Sequence, residues 1–204
     1  MTALIRQVQP DDAGAIQAIY APIVRDTPIS FELEPPLVEE MRRRIVELLD
    51  DLPWLVCDLD GSIAGYAYAT RHRQRPAYQW SVESSVYVDV AFQRCGIGRA
   101  LYASLLEILK LQGHRNVLAG IVLPNPASEA LHRRCGYEPT GVFRAVGFKL
   151  GRWHDVAWWH RSLQGDSSAA PSLPQALSHV RSGPAFSDAL GAGLPFIRPS
   201  IEST

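Results

Sequence analysis

The stretch Gln93-Arg94-Cys95-Gly96-Ile97-Gly98-Arg99 stands between an alternating apolar strand and a long amphipathic segment. Glycines at 96 and 98 let a ligand come close to the backbone. The helix after them would present unpaired N–H groups and the positive end of its dipole, which suits a pyrophosphate. A dinucleotide fingerprint would need a third glycine where Leu101 stands, and a Walker loop would need Gly-Lys-Ser/Thr, so neither applies. Taken alone, the heptapeptide also fits an ordinary glycine-rich turn. Upstream, Glu83 lies in Trp80-Ser81-Val82-Glu83-Ser84-Ser85. A carboxylate among apolar and hydroxyl neighbours can be tuned into a base, acting directly or through water. It can equally be a strand-end carboxylate satisfied by those hydroxyls. Downstream, Asn125 is placed to cap a helix with Pro126 at its first position, and Asn125, Ser128 and His132 then share one face. A lone helical histidine is more often packed or solvated than catalytic. Between the central strands, Arg73, Arg75 and Tyr78 supply two cations and a hydroxyl, a set suited to carboxylate or phosphinate oxygens or to a solvated basic turn.

The elements that must position these residues follow from periodicity. Strands are expected at 3–8, 54–59, 63–70, 82–90, 117–123, 137–148 and 153–162. Helices are expected after Pro10, up to about Leu49, over 98–112 and over 125–134. Asp60-Gly61 between apolar runs marks a hairpin. The order β-α-α-β-β-β-α-β-α-β-β gives an α/β fold with a mixed central sheet flanked by helices. From about Gly165 the chain turns to Ser, Ala, Pro and Gly. Residues 1–164 are therefore read as the domain, and 165–204 as a poorly structured tail with room for a short helix. The 204 residues carry a formal charge of -1, so no global field favours nucleic acid or an anionic membrane. No apolar run reaches membrane-spanning length, and Met1–Pro10 has no secretory signal. Three cysteines without a CxxC fit a reducing, cytoplasmic setting. His154 and Asp155 lack a third ligand at metal-site spacing, so no metal is expected.

Q-x-x-G-x-G after an alternating strand resembles the acetyl-CoA loop of the GCN5-related N-acetyltransferase (GNAT) superfamily. The segments PWLVCDLDGSIAGYAYA, AYQWSVESSVYV, QRCGIGRALY, GIVLPNPAS, LHRRCGYEP and FRAVGFKLGRWHDVAWW together resemble the phosphinothricin N-acetyltransferases over about residues 3–163. The resemblance implies acetyl transfer from acetyl-CoA to the α-amine of phosphinothricin, methionine sulfoximine or methionine sulfone, with Glu83 as general base and His132 assisting at the thiolate. It implies cofactor contacts from Val86, Tyr87, Val88, Arg94, Cys95, Gly96, Ile97, Gly98, Arg99, Asn125 and Ser128. It also implies a substrate head held by Arg73, Arg75 and Tyr78 against an apolar wall at Phe31, and a homodimer formed through the last strands. An N-acetyltransferase of another amine, such as a protein N-terminus, and a CoA-binding sensor without turnover are the competing expectations.

Overall fold

A computed structural model describes residues 2–163 and 170–198. The strands are β1 (Ala3–Gln7), β2 (Trp54–Leu59), β3 (Ser62–Arg71), β4 (Ser81–Val88), β5 (Asn116–Leu123), β6 (Glu138–Lys149) and β7 (Arg152–Ser162). The helices are α1 (Ala13–Asp26), α2 (Val38–Leu48), α3 (Ile97–Gln112), α4 (Pro126–Arg134), α5 (Leu177–Val180) and α6 (Pro184–Gly191). The seven strands form one sheet in the order β1-β2-β3-β4-β5-β7-β6, and the expected order of elements is the observed one through β7. All neighbours run antiparallel except β4 and β5.

Apolar side chains cover both faces of the sheet. On one face, α3 packs Ile97, Leu101, Leu105 and Leu109 over the sheet, with Trp159 of β7 at 1% exposure. On the other, α1 and α2 bury Ile16, Val24, Met41 and Ile45 against Trp54 and Tyr66. Burying each such side chain contributes about 1.5–3 kcal/mol relative to leaving it in water.

The single parallel contact opens the sheet. β4 pairs with β5 only at Ser81–Asn116, Val82–Val117 and Glu83–Leu118. Beyond Glu83 the strands part: β4 continues beside β3 to Val88, while β5 continues beside β7 to Leu123. The opening leaves the β5-facing edge of residues 84–88 without a strand neighbour.

The stretch after β7 corrects the expected poorly structured tail. Leu177, Phe186 and Ala189 are buried in the same cluster as α3, with Val180, Leu190, Phe196 and Ile197 packed on it. A few well-spaced apolar side chains suffice to dock two short helices on a preformed surface, even where average composition is polar and small. Residues 164–169 and 199–204 of that stretch lie outside the described residues.

His114, just past the α3 C-terminus, is 6% exposed, and its Nδ1 has no hydrogen-bond partner among the described residues. Burial pushes its imidazole down to about 4. Above pH about 6.5 both folded and unfolded chains hold it neutral. As pH falls from 6.5 towards 4, only the unfolded chain takes up the proton, so stability is lost over that window, by about 3 kcal/mol at most. Thermal unfolding followed from pH 7 to pH 4 should show a shallower decline for His114→Leu than for the unsubstituted protein. Parallel declines would remove His114 as a cause.

Candidate active site

Glu83 sits where the β4–β5 ladder ends, paired with Thr70 on one side and Leu118 on the other. Its Oε1 lies 2.8 Å from Nδ1 of His72. An ionised carboxylate can only accept, so the histidine N–H donates. His72 in turn stands edge-on to Tyr78 and Trp158, with ring centroids 5.6 and 6.1 Å away. Sequence reasoning does not find His72. It follows the end of β3, and only the antiparallel register of β3 and β4 carries it to Glu83.

The β4–β5 opening forms a cleft of about 60 Å³ whose lining includes Val86, Tyr87, Tyr102, Asn125, Ser128 and His132. Asn125 caps α4 as expected, its side-chain oxygen accepting from the Ser128 N–H at 3.1 Å. His132 is 3% exposed. Its Nδ1 lies 2.8 Å from the Ser128 carbonyl, which can only accept, so Nδ1 carries the proton. Nε2 then accepts from the Tyr102 hydroxyl at 3.0 Å. Burial lowers the His132 pKa, only partly offset by the Ser128 carbonyl, and so favours the neutral ring. Tyr102 is the second residue that sequence reasoning misses; it stands inside α3 with nothing in its spacing to separate it from core. Tyr137 packs at 1% exposure with its hydroxyl 2.8 Å from Ser84 Oγ.

The glycine-rich loop follows β4 through a short turn at Val90–Phe92. Arg94 and Gly96 have positive φ, 63° and 82°. That backbone turns successive peptide groups in alternating senses and can gather N–H groups into an anion-binding concavity. Arg94 and Arg99 are exposed, while Cys95, Ile97 and Gly98 are buried. At Gly98 a Cβ would lie 3.1 Å from Leu131, so the absence of a side chain lets α3 and α4 close together.

The expected substrate residues do not converge as one set. Arg73, Arg75 and Tyr78 line a cleft of about 230 Å³ with Asp51, His114 and Gln175. Tyr78 links that cleft to Glu83 through His72. Phe31 lies elsewhere, its ring over Gly147 and 6.3 Å from the His154 ring. Ile29, two residues before it, lines the β4–β5 cleft. The loop carrying both is pinned firmly. Tyr20 binds Ser30 and Glu32, Arg44 binds Glu32, and the buried Lys149 ammonium donates to the Val24 and Ser30 carbonyls, each at 2.6 Å. Among the described residues, no group of three His, Cys, Asp or Glu side chains is placed to hold a metal ion.

The acetyltransferase (GNAT) domain family matches residues 5–158. A phosphinothricin N-acetyltransferase of Streptomyces viridochromogenes is 39% identical over 83% of this chain and 93% of its own. An L-methionine sulfoximine/L-methionine sulfone acetyltransferase of Pseudomonas aeruginosa is 33% identical over 83% of this chain and 99% of its own. The crystal structure of a GNAT superfamily phosphinothricin acetyltransferase from Sinorhizobium meliloti, in complex with AcCoA, superposes with a TM-score of 0.79. It is 36% identical, with 84% of this chain and 94% of that one covered. The sequence match and the shared fold thus extend through relatives of closely matching length, and the chain belongs to the GNAT acetyltransferases, within the phosphinothricin N-acetyltransferase family.

Proposed function

We propose that this acyltransferase moves the acetyl group of acetyl-CoA directly onto the α-amine of phosphinothricin or of the related methionine sulfoximine and methionine sulfone. The observation that carries the reading is Glu83, hydrogen-bonded to His72 at the point where β4 and β5 part. The chain's residues fit the CoA group: a loop with two left-handed residues and exposed Arg94 and Arg99 suits its pyrophosphate, and the β4 edge from Ser84 to Val88 suits its amide-rich arm. In this reading Val86, Tyr87 and Val88 line the arm. Cys95, Gly96, Ile97 and Gly98 supply loop backbone, and Asn125 and Ser128 face the arm from α4.

Bound acetyl-CoA supplies an activated thioester. Glu83 takes one proton from the substrate ammonium, leaving a nucleophilic amine, while His72 holds the carboxylate in place. A backbone N–H near Tyr87 or Val88 donates to the oxygen that becomes negative as the amine adds. The second amine proton ends on the departing sulfur. His132 is read in this scheme as assisting at the thiolate by position: neutral, with Nδ1–H donated to the Ser128 carbonyl, it holds the Tyr102 hydroxyl in the cleft wall. Arg73, Arg75 and Tyr78 are read as the holders of the substrate's charged head, and Phe31 as an apolar wall on a neighbouring surface.

β6 forms the sheet edge, and Phe143, Val146, Phe148, Leu150 and Trp153 on the β6–β7 hairpin are each at least half exposed. We read that face as covered by a second copy of the chain; sedimentation at monomer mass would reject this. Among the described residues no helix is long and apolar enough to cross a membrane, and a formal charge of -1 gives no field that favours nucleic acid; the cytoplasm is the proposed location.

Thiol release from acetyl-CoA, measured with phosphinothricin, methionine sulfoximine, methionine sulfone, glutamate and a short peptide, tests the substrate reading. The first three should exceed glutamate and the peptide in kcat/KM by at least about 100-fold, the scale on which a site separates closely related substrates. Turnover of the peptide alone would replace the small amino acid with a protein N-terminus. Binding of acetyl-CoA without turnover of any amine would favour a sensor.

A further inference from the structure

The C-terminal stretch ends against the glycine loop. From α6 the chain passes Gly193, whose N–H donates to Ser104 Oγ while that hydroxyl donates to the Leu190 carbonyl. A Cβ at Gly193 would fall 2.0 Å from the Ala100 carbonyl, so the backbone there lies directly on α3. A single turn over Leu194–Phe196 then reaches the loop. The Phe196 carbonyl touches Gly96, where a Cβ would meet it at 2.0 Å. The Phe196 ring lies under the Arg99 guanidinium, 3.9 Å from its centroid, and the Arg198 N–H donates to the Cys95 carbonyl at 2.9 Å. The matched acetyltransferase domain ends at residue 158, so this strap lies outside it.

We infer that residues Gly193–Arg198 are part of the acetyl-CoA site, acting as positioning residues that hold the 93–99 loop in its phosphate-receiving shape. This rests on the reading of that loop as the pyrophosphate site. A loop that binds an anion through N–H groups must turn its carbonyl oxygens away from it, since a carbonyl presents negative charge to the ligand. The strap takes up the Cys95 carbonyl and crowds the Gly96 Cα from the side. It leaves Arg94 and Arg99 exposed, so the cationic surface of the loop stays open to a ligand. Arg94 in the left-handed region is a conformation that a non-glycine residue holds only when its surroundings enforce it. The contacts at residues 95, 96 and 99 supply that enforcement. Phe196 gives the Arg99 guanidinium an aromatic platform, which fixes a long side chain before the phosphate arrives.

The test compares four proteins in steady-state kinetics with phosphinothricin saturating: the full chain, a chain ending at Ala192, Phe196→Ala and Phe196→Trp. Ending at Ala192 retains α5 and α6 and so leaves the Leu177–Phe186 packing in place. The shortened chain should raise KM for acetyl-CoA about tenfold and Phe196→Ala about threefold, with kcat within about twofold. Phe196→Trp keeps a ring under Arg99 and should restore KM. A merely structural role would lower the active fraction and leave KM where it was. Unchanged KM in the shortened chain and in Phe196→Ala would overturn the proposal. A lowered KM would also overturn it, showing that the strap competes with the cofactor. If the shortened chain fails to fold, the two Phe196 variants decide. Arg94→Ala serves as the control: if it too leaves KM unchanged, the loop reading has failed and takes the strap with it. If Arg94→Ala raises KM while the strap variants do not, the strap alone has failed.

Discussion

Replacing Glu83 by glutamine should lower kcat/KM for the amino-acid substrate by about 1,000-fold at pH 7, within the range that a general base contributes. The substitution is close to isosteric. The introduced amide oxygen could still accept the His72 N–H across the 2.8 Å contact, so the β3–β4 register and the thermal midpoint should hold within a few degrees. What disappears is the ability to take a proton from the ammonium group. The deficit should therefore narrow as pH rises, because solution then delivers more of the substrate already deprotonated. A loss below tenfold at pH 7, or one independent of pH, would show that solvent serves as the base and that Glu83 has a structural role only.

The second large effect is expected at Gly96. Its φ of 82° is a left-handed conformation that costs an L residue about 1 kcal/mol or more. The larger obstacle is backbone. A Cβ at this position would lie 2.0 Å from the Phe196 carbonyl oxygen, which has no rotamer by which to withdraw. Gly96→Ala must therefore displace either the loop or the strap, with a fall of several degrees in the thermal midpoint and a rise of at least about tenfold in KM for acetyl-CoA. Ending the chain at Ala192 in the same variant should recover part of the midpoint but none of the KM. Normal KM in Gly96→Ala would mean that the loop's exact shape does not matter to the cofactor.

Much of this site is legible in the sequence because its signals are local. The glycine loop, the Asn125 cap with Pro126 and the alternation of β4 each lie within a few residues, and short-range sterics and hydrogen bonding decide them. The features that escape a sequence reading depend on register and burial. His72 reaches Glu83 because β3 and β4 pair as Thr70–Glu83 and Arg71–Val82, a long-range alignment that no local pattern encodes. The protonation state of His132 depends on how deeply α4 sits against Tyr102 and Tyr137, whereas its spacing on the helix shows only which residues share its face. Phe31 and the Arg73–Tyr78 segment read as one pocket in sequence because side-chain chemistry alone groups them. In three dimensions the pinned 27–36 loop places Phe31 over Gly147 instead. The C-terminal stretch misleads for a different reason: averaged composition hides the few residues, Leu177, Phe186 and Phe196 among them, that dock it.

Direct transfer is tested most simply by finding where the acetyl group goes. Phosphinothricin incubated with the protein and acetyl-CoA should yield one N-acetylated product, modified at the α-nitrogen, for each thiol released, with the protein itself unmodified. Thiol release without acetylated amino acid, or an acetyl group retained on a cysteine of the protein, would contradict direct transfer.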